Sequence, residues 1–101
     1  MTRRTFRTPG RLIPSASRGL RARAVRLSTG GVMDWHTTGE REELLLGLRG
    51  RVRVEIDAGR AVRQIPLTAG ESVFLPRRIR HRVVNASPRA SVYLYVTGPA
   101  C

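Results

Sequence analysis

The sequence predicts an all-β fold, an antiparallel barrel or sandwich, running from about residue 22 to residue 97. Short apolar or alternating runs recur at close intervals, and turn-forming residues punctuate them. No stretch carries the 3.6-residue periodicity of a three-turn amphipathic helix.

The elements follow in order. "RAVRL" opens the series, and "STGG" closes it with glycines suited to a turn. His36 and Thr38 stand two apart, which on a strand directs both side chains to one face. "LLLGL" is too short for a helix and is closed by "RG", so it is expected to be a strand buried on both faces. In "RVRVEID", Val52, Val54 and Ile56 alternate with Arg53, Glu55 and Asp57, placing the apolar set on one face. "DAGR" suits a tight hairpin into "AVRQIPL". "SVFL", "HRVVN" and "SVYLYV" complete the set, separated by "PRR" and "NASPRA".

A chain of 101 residues accommodates one domain with a modest core. Its formal charge of +12 raises nucleic acid as a partner. The charge is unevenly distributed, however. Residues 1–26 carry eight Arg and no acid, whereas the remainder carries eleven Arg against seven acids. Every basic residue is Arg and none is Lys, a bias that GC-rich coding also produces, and a solvated basic surface is the expectation. Cys101 is the only cysteine, so no internal disulfide forms and the cytoplasm is the expected location. No apolar run approaches the roughly 18 residues that cross a membrane.

Residues 1–21 are expected to form a flexible Arg-rich arm, and residues 22–101 the β domain. The arm's Arg- and Ser-rich, acid-free composition is also that of an organelle transit peptide, and a start codon assigned upstream of the domain gives the same appearance. "RRTF" looks superficially like a twin-arginine export signal, but no apolar segment follows it.

The two histidines, His36 and His81, stand in spaced patterns. Five residues separate Gly30 from His36, one separates His36 from Thr38, four lead to Glu43, and six lead to Gly50. Later, five residues separate Gly70 from Pro76, one precedes Arg78, two precede His81, and three lead to Asn85. These patterns resemble the paired motifs of the cupin superfamily, matching eight of ten signature positions over a region from Ala22 to Thr97. The departures are Thr38, where the family usually has a second His, and Arg78, where it has Gly.

The resemblance implies a small antiparallel jelly-roll β-barrel with a metal site inside. Gly30, Gly50 and Gly70 would lie at strand junctions, where positive φ favours glycine, and Pro76 at the rim. Arg78 requires that its turn adopt a conformation tolerating a Cβ. His36, Glu43 and His81 would hold a divalent transition metal (Fe, Mn, Zn, Ni or Cu), with Thr38 at most a weak or water-mediated neighbour. No residue is singled out as catalytic.

Around the site, Glu42 is expected on the opposite face from Glu43, and Glu40 in the turn. Arg80 and Arg82 should point away from the face of His81. Tyr93 and Tyr95 share one face of the last strand and Val92, Leu94 and Val96 the other, with one set lining the interior. Trp35 should face outward as apolar surface for a dimer contact.

Three functions stay open. The first is a metal-dependent cupin acting on a small molecule by oxygenase- or isomerase-type chemistry. The second is a non-catalytic cupin with a degenerate metal site that binds a small ligand or a partner. The third, nucleic-acid contact through the arm, is the weakest. A homodimer is expected, because the folded part is small and "LLLGL" needs covering on both faces.

Overall fold

The computed structural model describes residues 10–13 and 17–99. It contains nine strands: β1 (Gly10–Arg11), β2 (Arg21–Leu27), β3 (Val32–Thr37), β4 (Arg41–Arg49), β5 (Arg51–Asp57), β6 (Val62–Thr68), β7 (Ser72–Leu75), β8 (Arg80–Val84) and β9 (Ser91–Pro99). No helix occurs among the described residues, so none is long and apolar enough to cross a membrane.

The strands form two antiparallel sheets, one of order β1-β2-β9-β4-β7 and one of order β3-β8-β5-β6. Their inner faces supply one core. Val25, Leu27, Leu45, Leu75 and Tyr93 come from the five-stranded sheet, and Val52, Val54, Leu67 and Val83 from the four-stranded sheet. Period-two alternation selects these residues, as in β5, where Val52 and Val54 are buried. Pro66, which cannot donate to a ladder, lies on β6 at a sheet edge.

The expected arm is not wholly free. Gly10 and Arg11 pair with Ala24 and Arg23 of β2, and Arg41 Nη2 donates to the Gly19 carbonyl at 2.7 Å. Residues 1–9 and 14–16, the rest of the Arg-rich arm, lie outside the described residues.

The turns follow the expected chemistry. At "DAGR", the Asp57 carboxylate accepts from Gly59 N–H at 2.9 Å, and Gly59 has φ of 87°. Gly30, Gly50 and Gly70 all take positive φ. Arg78 differs from expectation: its turn keeps the left-handed conformation that suits glycine, with φ of 64°. That conformation costs a residue with a Cβ about 1–2 kcal/mol. Hydrogen bonds from Arg78 N–H to the Gly39 carbonyl and from its guanidinium to Glu40 hold it there.

"LLLGL" is a strand within β4, but only its inner face is fully buried. Leu45 is 1% exposed and the outward-facing Leu44 is 40% exposed. Gly47, in the same run, lies against the β6–β7 turn. A Cβ at Gly47 would stand 2.1 Å from the Thr68 carbonyl oxygen, a backbone atom that cannot swing aside. Gly47→Ala should therefore destabilise the fold by about 2–3 kcal/mol in urea titrations, the upper range for overpacking.

Candidate metal centre

The site depends on an irregularity in β3. Met33 pairs with Val83 of β8, but His36 pairs with His81, so β3 holds one residue more than β8 between those pairs. Trp35 N–H donates to the Asp34 carboxylate at 2.7 Å within this bulge. Met33 and His36 are three apart and would face opposite ways on a regular strand. With the bulge, both line the same pocket.

His36 and His81 therefore meet across the strands, with ring centroids 4.2 Å apart. Each ring is fixed in the same manner. His36 Nδ1 lies 2.7 Å from the Asp34 carbonyl oxygen, and His81 Nδ1 lies 3.1 Å from that of Ile79. A carbonyl only accepts, so in each ring Nδ1 carries the proton and Nε2 is left with a free lone pair. Glu43 enters from β4 on the opposite sheet, its Oε2 at 2.8 Å from His81 Nε2. Ligand atoms of His36, Glu43 and His81 all lie within 4.8 Å of one another.

His81 is 0% exposed and Glu43 is 7% exposed. Although they face each other closely, Glu43 Oε2 and neutral His81 Nε2 both present lone pairs, and both are left without a hydrogen-bond partner. Two buried acceptors aimed at one point need a cation between them, either a proton or a metal. Two imidazole nitrogens and a carboxylate, with each ring oriented by a backbone carbonyl, fit a divalent transition metal.

The pocket holds about 220 Å³ and is lined by Met33, Leu45 and Val83 beside the three candidate ligands, with Tyr93 and Tyr95 completing it. The tyrosine face of β9 is thus the inner one. Burial, with Glu43 and Tyr95 nearby, pushes the Tyr93 phenol well above its usual pKa, so it stays neutral. Met33 was invisible as a pocket residue in the sequence, because alternation from His36 puts it on the wrong face.

Thr38 lies one residue beyond β3 and serves elsewhere. Its hydroxyl donates to the Pro76 carbonyl at 2.8 Å and accepts from Ile79 N–H at 3.0 Å. The alternation that put Thr38 beside His36 ends with the strand, and Thr38 instead ties the β3–β4 turn to the turn carrying Pro76 and Arg78. Glu40 sits in that first turn and pairs with Arg78.

Arg80 and Arg82 point away from the pocket, as expected. Trp35 also faces outward, but two guanidinium groups cover it, those of Arg80 at 4.9 Å and Arg82 at 4.8 Å from its ring. Beside them Glu55 is 2% exposed although it faces outward. Burial pushes its carboxyl up, and hydrogen bonds from Arg82 and Arg53 outweigh this and hold its pKa below the ordinary value.

Burial likewise opposes protonation of His81, but Glu43 and the Ile79 carbonyl outweigh it and raise its pKa above 6.5. For the metal-free protein, this contribution to stability is fully present below the unfolded pKa and lost as pH rises through the folded one. A metal ion competes for the same lone pairs, so its contribution has the opposite sign and disappears on acidification. With chelator, melting temperature should fall as pH rises from neutrality. With zinc added, it should hold, and Glu43→Gln should flatten the chelator series.

A family profile described as the cupin domain matches residues 23–97. Among solved structures, an oxalate oxidase in complex with the substrate analogue glycolate is 21% identical, with a TM-score of 0.72, over 80% of this chain. This chain spans 42% of that oxidase's length. A cupin 2 conserved barrel domain protein from Salinispora arenicola is 23% identical, with a TM-score of 0.76, over 91% of this chain and 75% of its own. A cupin domain from Schizosaccharomyces pombe is 14% identical, with a TM-score of 0.78, over 91% of this chain and 60% of its own. No curated protein matches the sequence. The paired motifs converge on one pocket and the family profile covers most of the chain, which belongs to the cupin domain family.

Proposed function

We propose that this cupin holds a divalent transition metal through His36 Nε2, Glu43 Oε2 and His81 Nε2, and acts on a small molecule entering from the open side of the pocket. The observation that supports this most is the pair of buried atoms Glu43 Oε2 and His81 Nε2, 2.8 Å apart, which have no partner but each other. Fe, Mn, Zn, Ni and Cu all accept such a donor set. The bound metal would supply Lewis acidity or, if redox-active, an O₂-binding centre for oxygenase- or isomerase-type chemistry.

The chain's own residues have separate tasks. Asp34 and Ile79 hold the two imidazoles in one tautomer through their carbonyls. Met33, Leu45 and Val83 form an apolar wall that limits water at the buried side. His36 is exposed and marks the side from which a ligand arrives. A pocket of about 220 Å³ lies below the roughly 300–1,000 Å³ of sites for drug-sized molecules, which favours a small substrate.

Thr38 favours a second reading, a ligand-binding cupin without metal, because the imidazole common at that position in the family is missing here. In that case a proton on His81 Nε2 bridges to Glu43. Equilibrium titration of chelator-treated protein with Zn²⁺, Mn²⁺ and anaerobic Fe²⁺ separates the two. Wild type should bind one equivalent, and His81→Ala should lose affinity by more than about 100-fold, beyond what loss of an outer hydrogen bond causes. Thr38→Ala should keep its metal while losing about 1–2 kcal/mol of stability, the contribution of its two turn hydrogen bonds. Equally negligible affinity in wild type and His81→Ala would establish the metal-free reading.

A further inference from the structure

A second cleft lies on the outer side of the four-stranded sheet. It holds about 390 Å³, more than the inner pocket and within the roughly 300–1,000 Å³ of small-molecule sites. Arg51, Arg53, Pro66, Ala86, Ser87 and Pro88 line it, and no acidic side chain among the described residues does. None of these six lines the inner pocket.

Strand alternation dictates the floor of the cleft. Val52 and Val54 of β5 are buried in the core, so Arg51 and Arg53 point outward, about 7 Å apart along the strand. Pro66 stands opposite Arg53 on β6. The wall is the segment that follows β8, and the buried Asn85 pins it. The Asn85 carboxamide oxygen accepts from Ser87 N–H at 3.0 Å and from the Ser87 hydroxyl at 2.6 Å. Asn85 Nδ2 donates to the Arg89 carbonyl at 2.8 Å and to the Leu27 carbonyl at 2.9 Å, tying the segment to β2. Pro66 and Pro88 are further fixed in φ by their rings. The cleft is thus preformed, and little of a ligand's binding energy is lost to ordering it.

Its two cations have donors to spare. The Glu55 carboxylate accepts from Arg53 Nε at 2.8 Å and from Arg82 Nε at 2.6 Å, so one negative charge is shared by two guanidinium groups. The terminal nitrogens of Arg53 make no hydrogen bond among the described residues. The Arg51 side chain makes neither a hydrogen bond nor an ion pair among them, and only its backbone is engaged, by Ser91 Oγ. Positive charge therefore exceeds negative at this end of the sheet. Neighbouring guanidinium forks match the oxygens of a carboxylate or a phosphate. The other walls ask for something different. Pro66, Ala86 and Pro88 present carbon, and a proline has no N–H to offer, so the rest of the ligand meets an apolar surface.

The geometry points to a binding site for an organic oxyanion, a carboxylate or phosphate group carried on an apolar body about the size of one ring. The charged group sits between Arg51 and Arg53, and the body packs against Pro66, Ala86 and Pro88. The site lies on the opposite side of β5 from the core and needs no metal.

Titration of the full chain with phenyl phosphate and with benzoate, followed by amide chemical shifts, tests the proposal. Inorganic phosphate and benzyl alcohol supply the charged group and the body alone. At least one aryl anion should bind with a dissociation constant on the order of 0.1–1 mM, the scale that ligand efficiency sets for about ten heavy atoms. The shifts should centre on Arg51, Arg53, Ala86 and Ser87. Tighter binding of phenyl phosphate assigns the site to phosphate esters, and tighter binding of benzoate to carboxylates. Inorganic phosphate and benzyl alcohol should each bind at least about 10-fold more weakly. Arg51→Gln should weaken the aryl anion at least about 10-fold, as loss of a charge-assisted hydrogen bond does, with an unchanged melting temperature because its side chain has no partner in the fold. Failure of both aryl anions to bind, or shifts centred on Met33, Leu45 and Val83 instead, would overturn the proposal. So would an affinity indifferent to Arg51→Gln, or inorganic phosphate binding as tightly as either aryl anion.

Discussion

Strand β3 carries one residue more than β8 across the Asp34–Trp35 step, and the direction of His36 depends on that residue. Without the bulge, either His36 or Met33 would point to solvent, because side chains alternate strictly along a regular strand. With it, His36 faces His81, Trp35 turns outward under two arginines, and the Asp34 carbonyl reaches the ring it orients. A local break in the ladder is thus the device that assembles the centre, consistent with the frequency of bulges beside functional sites.

Glu43 completes the centre from the other sheet, and closure of the two sheets around one core brings it there. A carboxylate and an imidazole buried this deeply are expensive to leave unmatched. The barrel is therefore more stable with a cation at this point. A proton serves in acidic solution, and a metal would serve where the imidazole is neutral. Binding of a metal there would be coupled to folding, because His36, Glu43 and His81 come from strands β3, β4 and β8, which meet only in the closed barrel.

Much of this was legible in the sequence. The alternation of Val52 and Val54 with their polar neighbours identified a half-buried strand, and the spacing of glycines around His36, Glu43 and His81 identified the family and three side chains that meet in one pocket. The misjudged details arise from interactions between distant segments. Thr38 reads as a neighbour of His36 by alternation, but the strand ends at Thr37 and a turn 38 residues away captures its hydroxyl. Arg78 reads as a forced change of turn, yet Glu40 and Gly39 hold it in the glycine conformation. Leu44 reads as buried because its neighbours are apolar, whereas the chain covers only one face of β4. The bulge has no signature in residue type, so Met33 could not be placed in the pocket from pattern alone.

The claim that His36, Glu43 and His81 form one metal centre is tested most directly by anomalous diffraction from crystals grown with Mn²⁺ or Zn²⁺. The account predicts one strong peak inside the barrel, at about 2.0–2.2 Å from both Nε2 atoms and a Glu43 carboxylate oxygen. A barrel with no internal peak, and with His81 Nε2 hydrogen-bonded directly to Glu43 in the presence of excess metal, would contradict it.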